Sequence, residues 1–253
     1  MVVNVSIIIV CIILAIAIIL LGYGYARKMT EEVKNPIVTM EIADYGTIKV
    51  ELYPDVAPNT VTNFVNLVQD GYYDGLDFHR TIPGFMIQGG QNTGADALDY
   101  CIPGEFIANG YKQNTLKHEK GVISMARADY SSMGLAEEGY NSASDQFFIM
   151  DETTPSLDGY YAAFGKVIEG MDVVEKIADV EVIYRSDELA EDAEVPTDEE
   201  GNQIASDTPV NKPVITKMTV ETFGVDYGEP ETVEPFDYTS WMLEQYYSGQ
   251  HTH

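Results

Sequence analysis

Basic residues are scarce in this chain. Fourteen lysines and arginines face 41 aspartates and glutamates across 253 positions, a formal charge of -27. Such a surface repels phosphates and anionic lipid headgroups, which excludes nucleic acid as a partner. Cysteine is nearly absent: Cys11 falls inside an apolar run and Cys101 stands apart from it, so no disulfide framework is available and Cys101 reads as an inert thiol. The four histidines, His79, His118, His251 and His253, show no zinc-ligand spacing with acids or cysteines, and the terminal His-Thr-His is too short to make a metal site. No metal and no cofactor is expected. Charge of either sign is missing altogether before Arg27.

That last absence is informative. Residues 7–21 are continuously apolar and, with their flanks, are long enough to span a bilayer core of ~30 Å. The run has no polar face, which argues against a buried core helix. Gly24-Tyr25-Ala26 offers small residues at the spacing of a cleaved signal peptide, but the basic start of such a peptide is missing, and Cys11 follows Val10 rather than the small residue of a lipoprotein site. An uncleaved single-pass membrane anchor over residues 1–26 is preferred, with a cleaved, secreted form as the alternative. Arg27, Lys28 and Lys34 follow the run, so the charge rule by itself places the following domain in the cytoplasm.

Past a polar linker (residues 27–36), the 45% apolar content suits one packed domain with appendages. Residues 37–43 and 47–53 alternate apolar and polar around Asp44-Tyr45-Gly46, a hairpin signal. Pro58 opens a helix whose stripe is Val61, Phe64, Val65, Leu67 and Val68, closed by Gly71. Further strands are expected over 121–127, 146–150, 162–167 and 214–223, and a second helix over 171–177 with Val173, Val174 and Ile177 buried. Short strands in this number with two helices point to a closed antiparallel barrel capped by helices. The Asp- and Glu-rich residues 181–208 read as a solvated loop insertion. The tail, residues 224–253, carries Trp241, Leu243, Tyr246 and Tyr247, and packing against the same chain is its expected use.

The most specific stretch is Phe78-His79-Arg80-Thr81-Ile82-Pro83-Gly84-Phe85-Met86-Ile87-Gln88-Gly89-Gly90-Gln91, two short strands around a Pro-Gly turn. Alternation sends Arg80 and Ile82 to one face of the first strand, and Met86 and Gln88 to one face of the second. A half-buried arginine costs free energy unless something accepts its hydrogen bonds, so this set is odd for plain core. The stretch closely resembles the signature of cyclophilin-type peptidyl-prolyl cis-trans isomerases. The resemblance continues in Lys117-His118, Gly121-Val122-Ile123-Ser124-Met125-Ala126, Ser144-Asp145-Gln146-Phe147-Phe148-Ile149, Leu157-Asp158-Gly159 and Phe164-Gly165-Lys166-Val167-Ile168-Glu169-Gly170-Met171, and spans residues 37–223.

The resemblance, which is to bacterial-type members in particular, implies a mainly β, closed eight-stranded barrel capped by two helices. It also implies isomerase (rotamase) activity on proline-containing polypeptide clients, assisting protein folding at the membrane. Arg80 matches the catalytic residue. Phe85, Met86, Phe148, Leu157 and Tyr161 match the apolar pocket for the proline ring, with Ile82 a further wall candidate; Gln88 and Gln146 match its polar wall, and Ala126, Arg127 and Ala128 the segment along which the peptide lies. Gly94 matches a loop glycine beside the pocket. A monomer is expected. Family members with an N-terminal hydrophobic segment resemble exported foldases, so the extracytoplasmic side is preferred over the one the charge rule selects. Three departures stand out. Ser156 replaces a tryptophan common in the family, Tyr161 a histidine, and residues 129–142 are longer than usual, which implies weaker cyclosporin binding and an altered groove wall. A second reading, from a different class, is a proline-peptide clamp with little or no isomerase activity.

Overall fold

The hairpin forms where alternation places it. Strands β1 (Ile37–Ile42) and β2 (Gly46–Leu52) pair antiparallel, burying Val38, Met40 and Ile42 opposite Ile48, Val50 and Leu52. Their turn needs Asp44 at φ 65° and Gly46 at φ 119°, conformations that aspartate tolerates and glycine adopts freely. The computed structural model describes residues 13, 14, 16–19, 34–185, 194–198 and 200–249. It divides into two units between Lys34 and Asn35. In the first, residues 13, 14 and 16–19 are helical and exposed, and the rest of the anchor expected over 1–26 lies outside the described residues. Among the described residues no helix is long and apolar enough to cross a membrane.

In the second unit, six more strands follow: β3 (Phe78–Ile82), β4 (Met86–Gly89), β5 (Val122–Met125), β6 (Phe147–Met150), β7 (Ala163–Glu169) and β8 (Ile215–Glu221). With β1 and β2 they make one antiparallel sheet in the order β3-β4-β6-β5-β7-β2-β1-β8. The closed barrel expected from the sequence is instead a curled sheet. Its edge strands β3 and β8 share no ladder. They meet where the two strands begin, through the Asp77–Val214 bridge and backbone bonds of 2.7–2.9 Å from Gly75 and Phe78 to Ile215 and Pro213. Beyond that point the outer edge of β3 is taken: Thr81 N–H donates to the Asp207 carbonyl at 3.0 Å. An edge already paired to a loop cannot accept another strand.

Helix α1 (Pro58–Gln69) buries its whole expected stripe, and α2 (Met171–Ala178) buries Val173, Val174 and Ile177. Phe64 reaches from α1 into an aromatic cluster, with its ring 5.0 Å from Phe164, 5.2 Å from Tyr73 and 5.5 Å from Phe147. β7 pairs with β2 so closely here that a Cβ at Gly165 would lie 2.5 Å from the Glu51 carbonyl oxygen, which only glycine permits.

Two expectations need amending. The acidic residues 181–208 are not all solvated: Asp207 is buried, and Ile183 and Val210 bond back to Thr208 and Glu181. The tail packs on the same unit along only part of its length. Asn66 donates to the Gly228 carbonyl and Cys101 exchanges both backbone bonds with Val233, but in α3 (Tyr238–Gly249) Met242, Leu243, Tyr246 and Tyr247 are exposed.

The first turn of α1 has no capping side chain of its own, because Ala57 occupies the cap position and Pro58 follows. Glu105, from a distant loop, fills that role. Its carboxylate accepts from Asn59 N–H at 3.0 Å and from Thr60 N–H and Oγ1 at 2.7 Å each, with the side chain buried. A negative group on the free N–H groups of a helix start is favoured by both hydrogen bonding and the helix dipole. Glu105→Gln should lower unfolding free energy by about 1–2 kcal/mol, and Glu105→Ala by more, since it strands buried donors. Denaturant unfolding measures both, and wild-type stability in the alanine variant would show that this cap is dispensable.

Candidate active site

Strand register assembles the site. β4, β5 and β6 are buried on both faces, so consecutive residues serve different clusters. Ile87, Ile123, Phe147 and Ile149 enter the main core. Met86, Val122, Phe148 and Met150 point the other way and form a second cluster with Ala163, against which Ile82, Phe85, Leu116, Ala126, Leu157 and Tyr161 pack. Pairing then aligns Arg80 with Gln88, Gln88 with Phe148, and Phe148 with Ser124, one row across four neighbouring strands. Arg80 joins this row because the register shifts between Phe78 and Arg80. His79 is an extra residue there, and such a bulge turns the following side chain to the opposite face. Phe78 therefore enters the core, while Arg80, two positions on, faces out.

Above the row is a cavity of about 250 Å³ lined by Arg80, Phe85, Met86, Gln88, Ala126, Arg127, Asp129, Phe148, Leu157 and Tyr161. A second, of about 270 Å³, adjoins it and shares Gln88, Ala126 and Arg127, adding Ala128, Ser142, Ser144 and Gln146. Gln88 Nε2 donates to Gln146 Oε1 at 3.0 Å, joining the two polar walls. Of the residues expected at the site, Ile82 packs beneath and lines neither cavity, and Gly94 lies in an exposed loop away from both. Ser156, on the turn Pro155–Leu157, is exposed and also lines neither. A larger hollow of about 670 Å³ lies between α1 and the tail, but its lining includes Asp70, Asp226 and Glu229 and gathers no cation or apolar floor. The chemistry is at the smaller pair.

Two fixtures hold the walls. Arg127 donates from Nε to the Tyr160 carbonyl at 3.0 Å and from Nη1 to the Ala128 carbonyl at 2.9 Å, and its guanidinium lies 4.5 Å from the Tyr161 ring centre, 5.2 Å from Tyr140 and 5.7 Å from Phe106. This cation–π cage ties residues 126–128 to the 129–142 segment. Gly139 is needed there, since any Cβ would collide with the Ala128 carbonyl oxygen. His118 is the other fixture. Buried beneath the cavity, it stacks on Phe148 at 6.0 Å, meets Tyr161 edge-on at 6.4 Å, and bridges Asp158 and Ser124 at 3.3 and 3.2 Å. Burial pushes its pKa down, against the pull of Asp158 and with a smaller push from Lys117, so the ring is neutral. The ionised Asp158 then accepts a hydrogen bond from Nδ1–H, and the Ser124 hydroxyl donates to Nε2.

Residues that pattern reading passed over are Asp129, Ser142 and Ser144 in the lining, Phe106 and Tyr140 around Arg127, and Asp207 behind Arg80. Asp129 directly follows Ala128, so adjacency was a usable signal. Tyr140 and Ser142 fall in the 129–142 segment and Ser144 stands two residues before Gln146, so position was a signal for these too, whereas Phe106 and Asp207 come from distant loops and carry none. Asp129 is held below the usual carboxylate range by the hydroxyl and N–H of Ser131.

An arginine and a bonded glutamine pair stand over an apolar hollow on the outer face of a curled eight-stranded antiparallel sheet. The family model "Cyclophilin type peptidyl-prolyl cis-trans isomerase/CLD" matches residues 37–219, and the chain belongs to that family. It is 39% identical to peptidyl-prolyl cis-trans isomerase B of Bacillus subtilis over 144 residues, 56% of this chain and 90% of that one. It is 46% identical to a peptidyl-prolyl cis-trans isomerase of Synechococcus elongatus over 123 residues, 48% of this chain and 73% of the relative. It matches peptidyl-prolyl cis-trans isomerase-like 2 of Rhizopus delemar at 38% identity over 61% of this chain, but spans only 27% of that longer protein. Among solved structures, a cyclophilin-type isomerase of Cryptosporidium parvum superposes with a TM-score of 0.54 at 26% identity, covering 74% of this chain and 98% of the other. The same enzyme solved in the presence of the dipeptide Ala-Pro gives 0.52 at 27%.

His118 makes stability depend on pH. A histidine whose pKa falls on folding is protonated first in the unfolded chain, so its contribution is intact above the unfolded value of 6.5 and is lost as pH falls below it. His118→Gln should flatten the slope of unfolding free energy against pH between about 6.5 and 5, the range in which unperturbed histidine takes up its proton. Denaturant titrations across that range read the slope; an unchanged one would assign the dependence to other groups, beginning with His79, whose pKa is also lowered by burial.

Proposed function

We propose that the chain accelerates rotation about X-Pro bonds in polypeptide clients, with Arg80 as the catalytic residue. One observation carries this: the register row that brings Arg80, Gln88 and Phe148 to the mouth and floor of one cavity. Amide rotation faces a barrier of ~18–20 kcal/mol because resonance gives the C–N bond double-bond character. No bond breaks, so neither a nucleophile nor a base is required. The proline ring occupies the hollow of Phe85, Met86, Phe148, Leu157 and Tyr161, and the backbone before it lies along Ala126, Arg127 and Ala128. Gln88 and Gln146 hold the peptide carbonyl and N–H groups through the amide atoms their mutual bond leaves free. In the twisted state the prolyl nitrogen regains its lone pair. Arg80, a planar donor array that stays charged, bonds that lone pair better than it bonds the flat ground state, which lowers the barrier selectively.

The proposed setting is a membrane tether of bacterial type, with the domain on the extracytoplasmic side. The uncharged apolar run before Arg27, helical and exposed at residues 13, 14 and 16–19, supports the tether. Clients are then exported chains whose prolines refold slowly, X-Pro exchange taking tens to hundreds of seconds unaided. Intact cells expressing the full chain and treated with an external protease should lose the domain while a cytoplasmic marker survives. Full protection until the cells are lysed would place it inside, as the basic residues after the run suggest.

Arg80→Ala should reduce kcat on an Ala-Pro tetrapeptide by about 10²–10³, the usual loss for one preorganised donor, with thermal unfolding nearly unchanged. Arg80→Lys should restore little, since a point charge cannot present a planar fork. A wild-type chain with no acceleration over background would favour a proline-peptide clamp, and full activity in Arg80→Ala would reject this mechanism.

A further inference from the structure

Arg80 has a carboxylate behind it. Asp207 Oδ2 lies 3.9 Å from Arg80 Nε, and the Asp207 side chain is only 2% exposed. Its other oxygen, Oδ1, lies 3.7 Å from Arg185 Nη1. Oδ2 has no hydrogen-bond partner although it is buried, a costly arrangement for an anion unless a cation faces it. The backbone is strained as well, with Asp207 at φ 60°. The main chain keeps it there. Asp207 N–H donates to the Tyr184 carbonyl at 2.9 Å and its own carbonyl accepts from Thr81 at 3.0 Å, while Arg185 Nη1 donates to the Thr81 carbonyl at 2.9 Å. Both ends of the acidic insertion are thus laid along β3 at the residue next to Arg80.

We infer that Asp207 is a positioning residue for Arg80, supplied by the insertion. It faces the guanidinium from its Nε side, opposing rotation of the arginine out to solvent and leaving the terminal nitrogens for the prolyl amide. Arg80 is half exposed and its long side chain has many rotamers, so without a fixed counter-charge much of its time is spent away from the cavity. Arg185 shares the carboxylate from the other side and keeps it from reaching a full pairing with Arg80. This rests on the reading of Arg80 as catalytic.

The test is Asp207→Asn in the full chain. Asparagine keeps the volume, tolerates positive φ and leaves both backbone bonds in place, so only the charge is removed. The expected result is a kcat about five- to twentyfold lower on an Ala-Pro tetrapeptide with KM within about twofold, the pattern of an interaction made in the transition state. Thermal unfolding should be unchanged, and Asp207→Glu should recover part of kcat. In an Arg80→Ala background Asp207→Asn should have no further effect, because the two act as a unit. Wild-type kcat in Asp207→Asn with Arg80→Ala impaired would overturn the role of Asp207 alone. Wild-type kcat in Arg80→Ala would overturn the reading beneath it. A loss shared between kcat, KM and unfolding temperature, or one that persists in the Arg80→Ala background, would make Asp207 structural and overturn the inference.

Discussion

Because β3 carries one residue more than the part of β4 it pairs with, Phe78 and Arg80 leave the strand on opposite faces. Everything at the site follows from that offset. Plain alternation would send Arg80 into the core beside Phe78, where a guanidinium has no acceptor and a large desolvation cost. With the bulge at His79, Arg80 joins Gln88, Phe148 and Ser124 on the outer face, and no charge is driven into the core beside Phe78. A register shift is a low-cost way to reassign a side chain, since it strains one residue and leaves the ladder on either side intact.

The outer face works because β4, β5 and β6 are apolar on both sides. A sheet with one wet face would leave Met86, Phe148 and Met150 exposed. Here the loops bearing Phe85, Leu116, Leu157 and Tyr161 cover them and leave a hollow only where Arg80 and Gln88 stand. His118 buttresses that cover from below and is neutral at neutral pH, so it adds no second cation to compete with Arg80. Arg127 does carry charge, yet two backbone carbonyls and three aromatic rings satisfy it in place. Of the two guanidiniums lining the hollow, one is thus committed to structure and the other faces a half-satisfied carboxylate.

Loops from distant parts of the chain supply what the strands lack. Glu105 caps α1, the tail lies along the outside of that helix, and Tyr130 in the 129–142 segment stacks on Tyr238 at 5.7 Å. The tail is therefore in contact with a groove wall, and the acidic insertion with the opposite edge at β3. Of the 41 acidic residues, Glu105, Asp145, Asp151 and Asp207 are buried among the described residues, and each faces donors or cations brought from elsewhere in the chain.

Local pattern was enough for much of this. Alternation and the Asp-Tyr-Gly turn foretold the first hairpin, and a 3.6-residue stripe after Pro58 foretold α1 to within two residues of its end. These depend on interactions between near neighbours, which a linear reading can see. The cyclophilin-like signature likewise led to Arg80, Gln88, Phe148 and the other lining residues, because the family keeps them in short contiguous blocks. The sheet edges were not legible: whether β3 meets β8 depends on Asp207 occupying Thr81, a contact across more than 120 positions. Nor was the fate of the insertion, whose composition says solvated while one of its aspartates is buried between two arginines. A charged residue in an acidic run looks the same in sequence whether it faces water or a guanidinium. Only the folded chain, by bringing the cation to it, sets the difference.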